Sequence, residues 1–108
     1  MRILLDHSVP APLLNYLRRH EVCEARDLGW DRLANGDLLK EAESAGFDLL
    51  ITADKNLQYQ QNLQGRKISL MILGNAQWPV LRLHVDRVIV AVDDASPGSF
   101  AEVPIPYE

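Results

Sequence analysis

Three aspartates in separate parts of the chain could form one acidic site. Asp6 directly follows an apolar run, Asp37 stands at the start of an amphipathic segment, and Asp54 follows another apolar run. Carboxylates that lie close together repel each other at a cost of about 1 kcal/mol or more per pair, so a cluster of them needs a cation. Mg²⁺ and Mn²⁺ prefer oxygen ligands, and either ion can activate a water beside a phosphodiester. The three residues therefore predict a divalent metal site suited to phosphodiester hydrolysis.

Four polar side chains could support these acids. Thr52 and Asn56 flank Asp54 and could hold metal-bound water, although Asn56 is better explained as a helix cap. Lys55 could contact a phosphate, and a solvated lysine at a helix start explains it equally well. Glu41 follows the helix-start aspartate by one helical turn and could face the same way.

The candidate residues also have purely local explanations. Asp37 would interact favourably with the dipole of its helix, which is worth about 0.3–1 kcal/mol. Asp6 could form an Asx-turn with the backbone that follows it. His7 could act as a general base, but a histidine beside an acid is more often a hydrogen-bonded loop residue. Glu24 is a candidate for an additional acid in the site.

Short apolar runs alternate with helical patterns along the chain. The runs predict four strands, at residues 2–5, 22–25, 48–52 and 68–73. Three- and four-residue spacing of apolar side chains, with proline, glycine and polar boundaries, predicts helices at residues 11–20, 38–43, 57–63 and 79–92. The tail at residues 100–107 could add an edge strand or run over the surface.

This alternation predicts a three-layer α/β sandwich with a parallel sheet of about four strands in the order 2-1-3-4. In that order the chain leaves the first strand on one side and returns to the third strand on the other. Ligands of such folds bind at this switch point, beyond the carboxyl ends of the strands. Asp6 and Asp54 follow the two strands concerned, and the helix with Asp37 in its first turn starts at the same edge. We therefore expect the three acids to converge there.

Length and charge narrow the classes of function. A chain of 108 residues predicts a single domain over residues 1–108. The net charge of −4 argues against holding long nucleic acid by electrostatics alone, so a nucleic-acid function needs a metal or a partner. Scattered arginines could line a groove for nucleic acid or be ordinary surface: Arg18, Arg19, Arg26 and Arg32.

The N-terminal residues, the lengths of the apolar runs and the number of cysteines indicate where the protein is located and whether it forms a disulfide. The N-terminal residues meet an acid and a proline too early for a signal peptide, and no apolar run approaches the roughly 18 residues of a membrane span. We therefore expect a cytoplasmic protein without a membrane partner. Cys23 is the one cysteine, so it cannot form an internal disulfide, and its apolar neighbours indicate a buried side chain in a strand.

Three motifs together resemble the PIN-like nucleases. They are LLD followed by Val9-Pro10, GDLL followed by Ala42, and LITADKNL, at residues 4–6, 36–39 and 50–57. The resemblance covers about the first three-quarters of the chain, and it is closest to short bacterial PIN-like proteins regarded as toxins of toxin–antitoxin pairs. It implies that Asp6, Asp37 and Asp54 hold Mg²⁺ or Mn²⁺, that the substrate is RNA, and that an antitoxin protein restrains the enzyme.

The sequence departs from the PIN pattern in ways that keep a second hypothesis open. Asn56 stands where many relatives carry a further aspartate, and the mid-chain glutamate has only Glu24 and Glu41 as substitutes. A non-catalytic PIN-like module that binds protein in a toxin–antitoxin or repressor complex is the alternative to a ribonuclease. The apolar segment 103–107 could pack on a second subunit of a homodimer, receive an antitoxin segment, or fold back on its own sheet.

Receiver-like phosphoacceptor domains are a third class with the same strand order. They are disfavoured because their acidic pair directly follows the first strand, whereas Asp6 stands alone beside His7.

Overall fold

A computed structural model describes residues 1–33, 35–54 and 66–106. Its strands are β1 (Arg2–Leu5), β2 (Glu21–Glu24), β3 (Leu49–Thr52), β4 (Ser69–Leu73) and β5 (Phe100–Val103). The α-helices of this part of the chain are α1 (Asn35–Ser44), α2 (Trp78–Leu81) and α3 (Val85–Asp94). Short 3-10 helices cover Ala11–Tyr16, Ala25–Leu28 and Arg82–His84.

The strands form one parallel sheet in the order β2-β1-β3-β4-β5. One row of directly paired residues crosses the whole sheet: Cys23, Leu4, Leu50, Leu70 and Phe100. The predicted α/β class, the parallel pairing and the order 2-1-3-4 are therefore confirmed. The extra C-terminal strand is also present, and it pairs with β4.

Both faces of the sheet are covered by helices. Alternate residues of a strand point to opposite faces, so Ile3 and Leu5 belong to one core cluster and Leu4 to another. The first cluster joins the sheet to the 3-10 helix Ala11–Tyr16 and to α2 and α3, and the second joins it to α1. Full burial of each such side chain stabilises the fold by about 1.5–3 kcal/mol. The result is the predicted three-layer sandwich.

The first connection differs from the α-helix predicted for residues 11–20. It is a 3-10 helix over Ala11–Tyr16, in which Leu13 is buried; Leu17 is buried just beyond its end. A parallel crossover must carry the chain back along one strand length, about 13 Å for four residues at about 3.3 Å each. Six residues of 3-10 helix span about 12 Å at about 2.0 Å each, so a longer helix is unnecessary.

The last predicted helix is divided into α2, the 3-10 helix Arg82–His84 and α3. Its apolar stripe still faces the sheet, since Leu81, Val88 and Val92 are buried. Cys23 is half-buried in edge strand β2 and packs beside the second cluster. The helix predicted at residues 57–63 lies outside the described residues.

The C-terminal tail folds back on its own sheet. Val103 and Ile105 are buried in the first core cluster, and the Gly74 amide donates to the Val103 carbonyl at 2.9 Å. The Arg87 guanidinium donates to the Pro104 carbonyl at 2.9 Å. Of the three placements considered for this segment, residues 103–106 adopt the intramolecular one. Within the described ranges, no helix is long and apolar enough to cross a membrane.

Replacing Gly74 with alanine should loosen the fifth strand. A Cβ atom at this position would lie 2.9 Å from the Ile105 nitrogen and 3.2 Å from the Val103 carbonyl oxygen. Because these atoms are backbone, the tail must shift, and we expect a loss of about 1–3 kcal/mol in the free energy of unfolding. Chemical denaturation measures the loss, and hydrogen exchange should be faster at the amides of Phe100–Val103. Unchanged stability and exchange would contradict this packing.

Candidate functional site

Asp6 lies directly beyond β1 at the carboxyl edge of the sheet. Its amide donates to the Ile51 carbonyl at 3.1 Å, so the pairing with β3 continues one residue past the strand. Its carbonyl accepts a hydrogen bond from the Val9 amide at 3.1 Å. The residue is only 3% exposed. A carboxylate buried to this degree requires hydrogen-bond partners.

Two hydroxyl groups supply those partners. The Ser8 amide and the Ser8 hydroxyl both donate to Asp6 Oδ1, the hydroxyl at 2.6 Å. The hydroxyl of Thr52, which is fully buried, donates to Asp6 Oδ2. The bond from the Ser8 amide is the Asx-turn that the sequence allowed as a local explanation. The bond from Thr52 is not local, because it joins Asp6 across the sheet to β3.

The same hydroxyls connect Asp6 with the backbone that leads into Asp54. Ser8 Oγ accepts a hydrogen bond from the Ala53 amide at 3.0 Å, and Thr52 Oγ1 accepts one from the Asp54 amide at 3.1 Å. The hydroxyls of Ser8 and Thr52 therefore each donate a hydrogen bond to the Asp6 carboxylate and accept one from a backbone amide that follows β3. Thr52 was predicted as a residue that supports Asp54, and its hydroxyl lies between the Asp6 carboxylate and the Asp54 backbone amide. Asp54 itself is half-buried.

Asp37 and Glu41 lie on α1, the α-helix that follows β2 in the chain. Asp37 is exposed in the first turn of α1, and Glu41 is exposed one turn later. The helix is held to the sheet by the buried Leu38 and Leu39. Across residues 1–33, 35–54 and 66–106, no three histidine, cysteine, aspartate or glutamate side chains form a group that could hold a metal ion. The expected convergence of all three acids into one such group is therefore not seen.

The supporting residues predicted after Asp54 cannot be placed. Lys55 and Asn56 lie outside the described residues. Ser8, in contrast, was not among the predicted site residues. The order Asp6-His7-Ser8 is a local turn signal that could have identified it, since a serine two residues after an aspartate can bond to its side chain.

A polar cleft of about 380 Å³ adjoins Asp6 on the side of β2. Its charged and titratable lining residues are Asp6, His7, Glu24, Arg26 and Asp31. Glu24, the candidate for an additional acid, thus shares a cleft with Asp6, as does the exposed His7. Asp31 was not identified from the sequence, because nothing in its local pattern distinguishes it from a loop acid.

The donor groups around Asp6 are compatible with a hard divalent cation. A carboxylate offers about four lone-pair sites, and the described hydrogen bonds to Asp6 use two on Oδ1 and one on Oδ2. Mg²⁺ commonly binds through one or two carboxylates, with water and substrate phosphate completing its shell. A site formed by Asp6 and Asp54 would meet that requirement without a third protein acid.

Comparison with known proteins leaves the site to be interpreted from its own residues. No protein-family model, no curated protein and no solved structure matches the chain. The functional interpretation therefore relies on the geometry described above and on the motif resemblance.

Removing the Thr52 hydroxyl should destabilise the protein. Thr52→Val keeps the shape of the side chain but deprives Asp6 Oδ2 of its donor and the Asp54 amide of its acceptor. Hydrogen bonds to charged groups are worth about 1.5–3 kcal/mol, and we expect a loss of that size in the free energy of unfolding. Ser44→Ala, at an exposed position of α1, is the control and should stay within about 0.5 kcal/mol. Equal effects in urea denaturation would show that the network does not stabilise the fold.

Proposed function

We propose that the protein is a Mg²⁺- or Mn²⁺-dependent endoribonuclease of the cytoplasm, and the toxin of a toxin–antitoxin pair. The observation that supports this most strongly is the buried Asp6 carboxylate, which Ser8 and Thr52 hold beside the segment of Asp54. It lies at the switch point of the sheet, between β1 and β3, where ligands of such folds bind. We propose RNA as the substrate and an antitoxin as the partner because the motifs of the chain resemble those of PIN-like nucleases.

The charge of Asp6 supports a cation in the site. The described partners of its carboxylate are an amide and two hydroxyls, and Asp6 takes part in none of the salt bridges found among the described residues. A buried charge without an opposite charge is costly, and functional sites commonly carry such costs. A divalent ion would supply the missing positive charge. Metal binding by Asp6 is therefore favoured over a purely structural role.

In this proposal the residues of the chain have distinct tasks. Asp6 and Asp54 would hold the ion, which supplies an activated water and neutralises charge on the phosphodiester. Ser8 and Thr52 fix the orientation of the Asp6 carboxylate, so that little ordering is needed when a ligand arrives. Asp37 is assigned to the site by the resemblance alone, since its exposed carboxylate belongs to no described acidic group.

A non-catalytic protein-binding module is the second candidate. It is favoured by the lack of a three-acid group in the part of the chain that the structure describes. The face formed by α3 and the end of β5 offers a surface for such a role, because Val90 is 60% exposed. An open cleft of about 530 Å³ lies on this face between Val90 and Pro104.

Cleavage of a mixed pool of single-stranded RNA tests the enzymatic proposal. The purified protein, freed of any partner, should cut in Mg²⁺ or Mn²⁺ and stop in EDTA. Asp54→Asn keeps the size of the side chain but removes the charge that holds the ion. Loss of a group that only orients a metal ligand typically costs about 10–100-fold in activity. Because Asp54 would bind the ion directly, we expect the cleavage rate of Asp54→Asn to fall by more than this.

The matched control is Asp93→Asn. Asp93 is 41% exposed and pairs with Arg19 at 3.2 Å, away from the candidate site. This variant should cut RNA at the wild-type rate, and melting curves should show that both variants are folded. Cleavage that survives EDTA, or that is equal in Asp54→Asn and wild type, would overturn the nuclease proposal. Binding to the product of an adjacent small gene would then favour the second candidate.

A further inference from the structure

The cleft beside Asp6 contains a positively charged group. Among the described residues that line it, Arg26 is the one lysine or arginine, and it shares the cleft with Asp6, Glu24 and Asp31. Three acids and one arginine leave an excess of negative charge in the cleft. These acids repel an anionic strand, so a strand enters this cleft more readily where a positive group meets its phosphates. Arg26 is in the position to be that positive group.

The guanidinium of Arg26 is anchored but still exposed. Its Nη2 atom lies 3.1 Å from Glu24 Oε1, and the side chains of Arg26 and Glu24 are 65% and 18% exposed. The more buried glutamate thus holds the arginine at the rim of the cleft. A guanidinium has five N–H donors in a planar fork, which matches the oxygens of a phosphate. The bond to Glu24 uses one of these donors.

The backbone under Arg26 is also fixed. Ala25 is buried, and its carbonyl accepts a hydrogen bond from the Trp30 amide at 2.9 Å. The Arg26 carbonyl accepts a hydrogen bond from the Gly29 amide at 3.1 Å. Gly29, with a φ of 76°, follows the last residue of the 3-10 helix Ala25–Leu28, which carries Arg26. A side chain on such a turn keeps its place on the wall of the cleft. Binding a phosphate therefore requires little further ordering of the chain.

We propose that Arg26 is a phosphate-binding residue, which holds the backbone of a single-stranded RNA in the cleft next to Asp6. This inference rests on the proposed function, since it takes RNA as the substrate. Other arginines are engaged away from this cleft: Arg18 donates to Asn15 and Arg19 pairs with Asp93. Arg26 differs from them because it lines the same cleft as the buried carboxylate.

The test is binding of a fluorescent single-stranded RNA oligonucleotide in the Asp54→Asn background, where the strand is not expected to be cut. Arg26→Gln is compared with Arg19→Gln, an exposed arginine that also pairs with one acid. One phosphate contact on a single strand contributes about −0.7 to the slope of log K against log salt. At about 0.1 M salt this corresponds to about a five-fold loss of affinity for Arg26→Gln. Arg19→Gln should bind like its parent.

Arg26→Lys is a further variant, which keeps the charge but loses the planar fork. It should retain the salt slope of the parent and bind less tightly than it. Equal affinity and slope for Arg26→Gln and Arg19→Gln would overturn the inference while leaving RNA cleavage by the wild type intact. RNA binding that depends on Arg26 in a protein that never cuts RNA would support the inference and refute the nuclease. A wild type that neither binds nor cuts RNA would refute both.

Discussion

The Asp6 carboxylate is buried at the carboxyl edge of the sheet, and hydroxyl groups from two different segments hold it. This interaction joins the turn after β1 to the end of β3, which are neighbours in space but separated by β2 and α1 in the chain. It thereby orders the two loops that enclose the switch point. Without those hydroxyls, the cost of burying the carboxylate would favour a different conformation of this edge. The candidate metal site and the wall that Asp6 contributes to the cleft depend on this arrangement.

The sheet itself explains why a polar network occurs at this edge and not within the strands. β3 and β4 are buried along their whole length, because helices cover both faces of a parallel sheet. Only the loops beyond the strands leave room for charged groups and for a ligand. Thr52 is the last residue of β3, and its hydroxyl is the first polar side-chain group after the apolar residues of this strand.

Much of the fold could be predicted because apolar runs and helical patterns alternate so regularly. The fifth strand was uncertain because only Val103 of its four residues is buried, which makes a weak pattern. The 3-10 helix was mistaken for an α-helix because the buried Leu13 and Leu17 are four residues apart, as on one face of an α-helix, whereas Leu17 lies beyond the end of the 3-10 helix. Sequence spacing reports which face a residue occupies, not the pitch of a short helix.

The candidate site was predicted less completely, for reasons that are tertiary. The positions of Asp6 and Asp54 followed from the strand order, whereas Asp37 was expected beside them because its helix starts at the same edge and because of the PIN-like resemblance. Asp37 is exposed in the first turn of α1, and among the described residues it belongs to no group of three potential metal ligands. The bond from Thr52 to Asp6 spans 46 residues, and Arg26 meets Asp6 only through the fold. No local pattern reports such contacts.

Nuclear magnetic resonance with Mn²⁺ tests most directly whether this edge is a metal site. A bound paramagnetic ion broadens the resonances of nearby amides, so small additions of Mn²⁺ should broaden Ser8, Ala53 and Asp54 first. Lys67 and Asp48, at the opposite edge of the sheet, should remain sharp, and Asp6→Asn should abolish the selective broadening. Broadening that begins at Asp48, or that is unchanged in Asp6→Asn, would contradict the account.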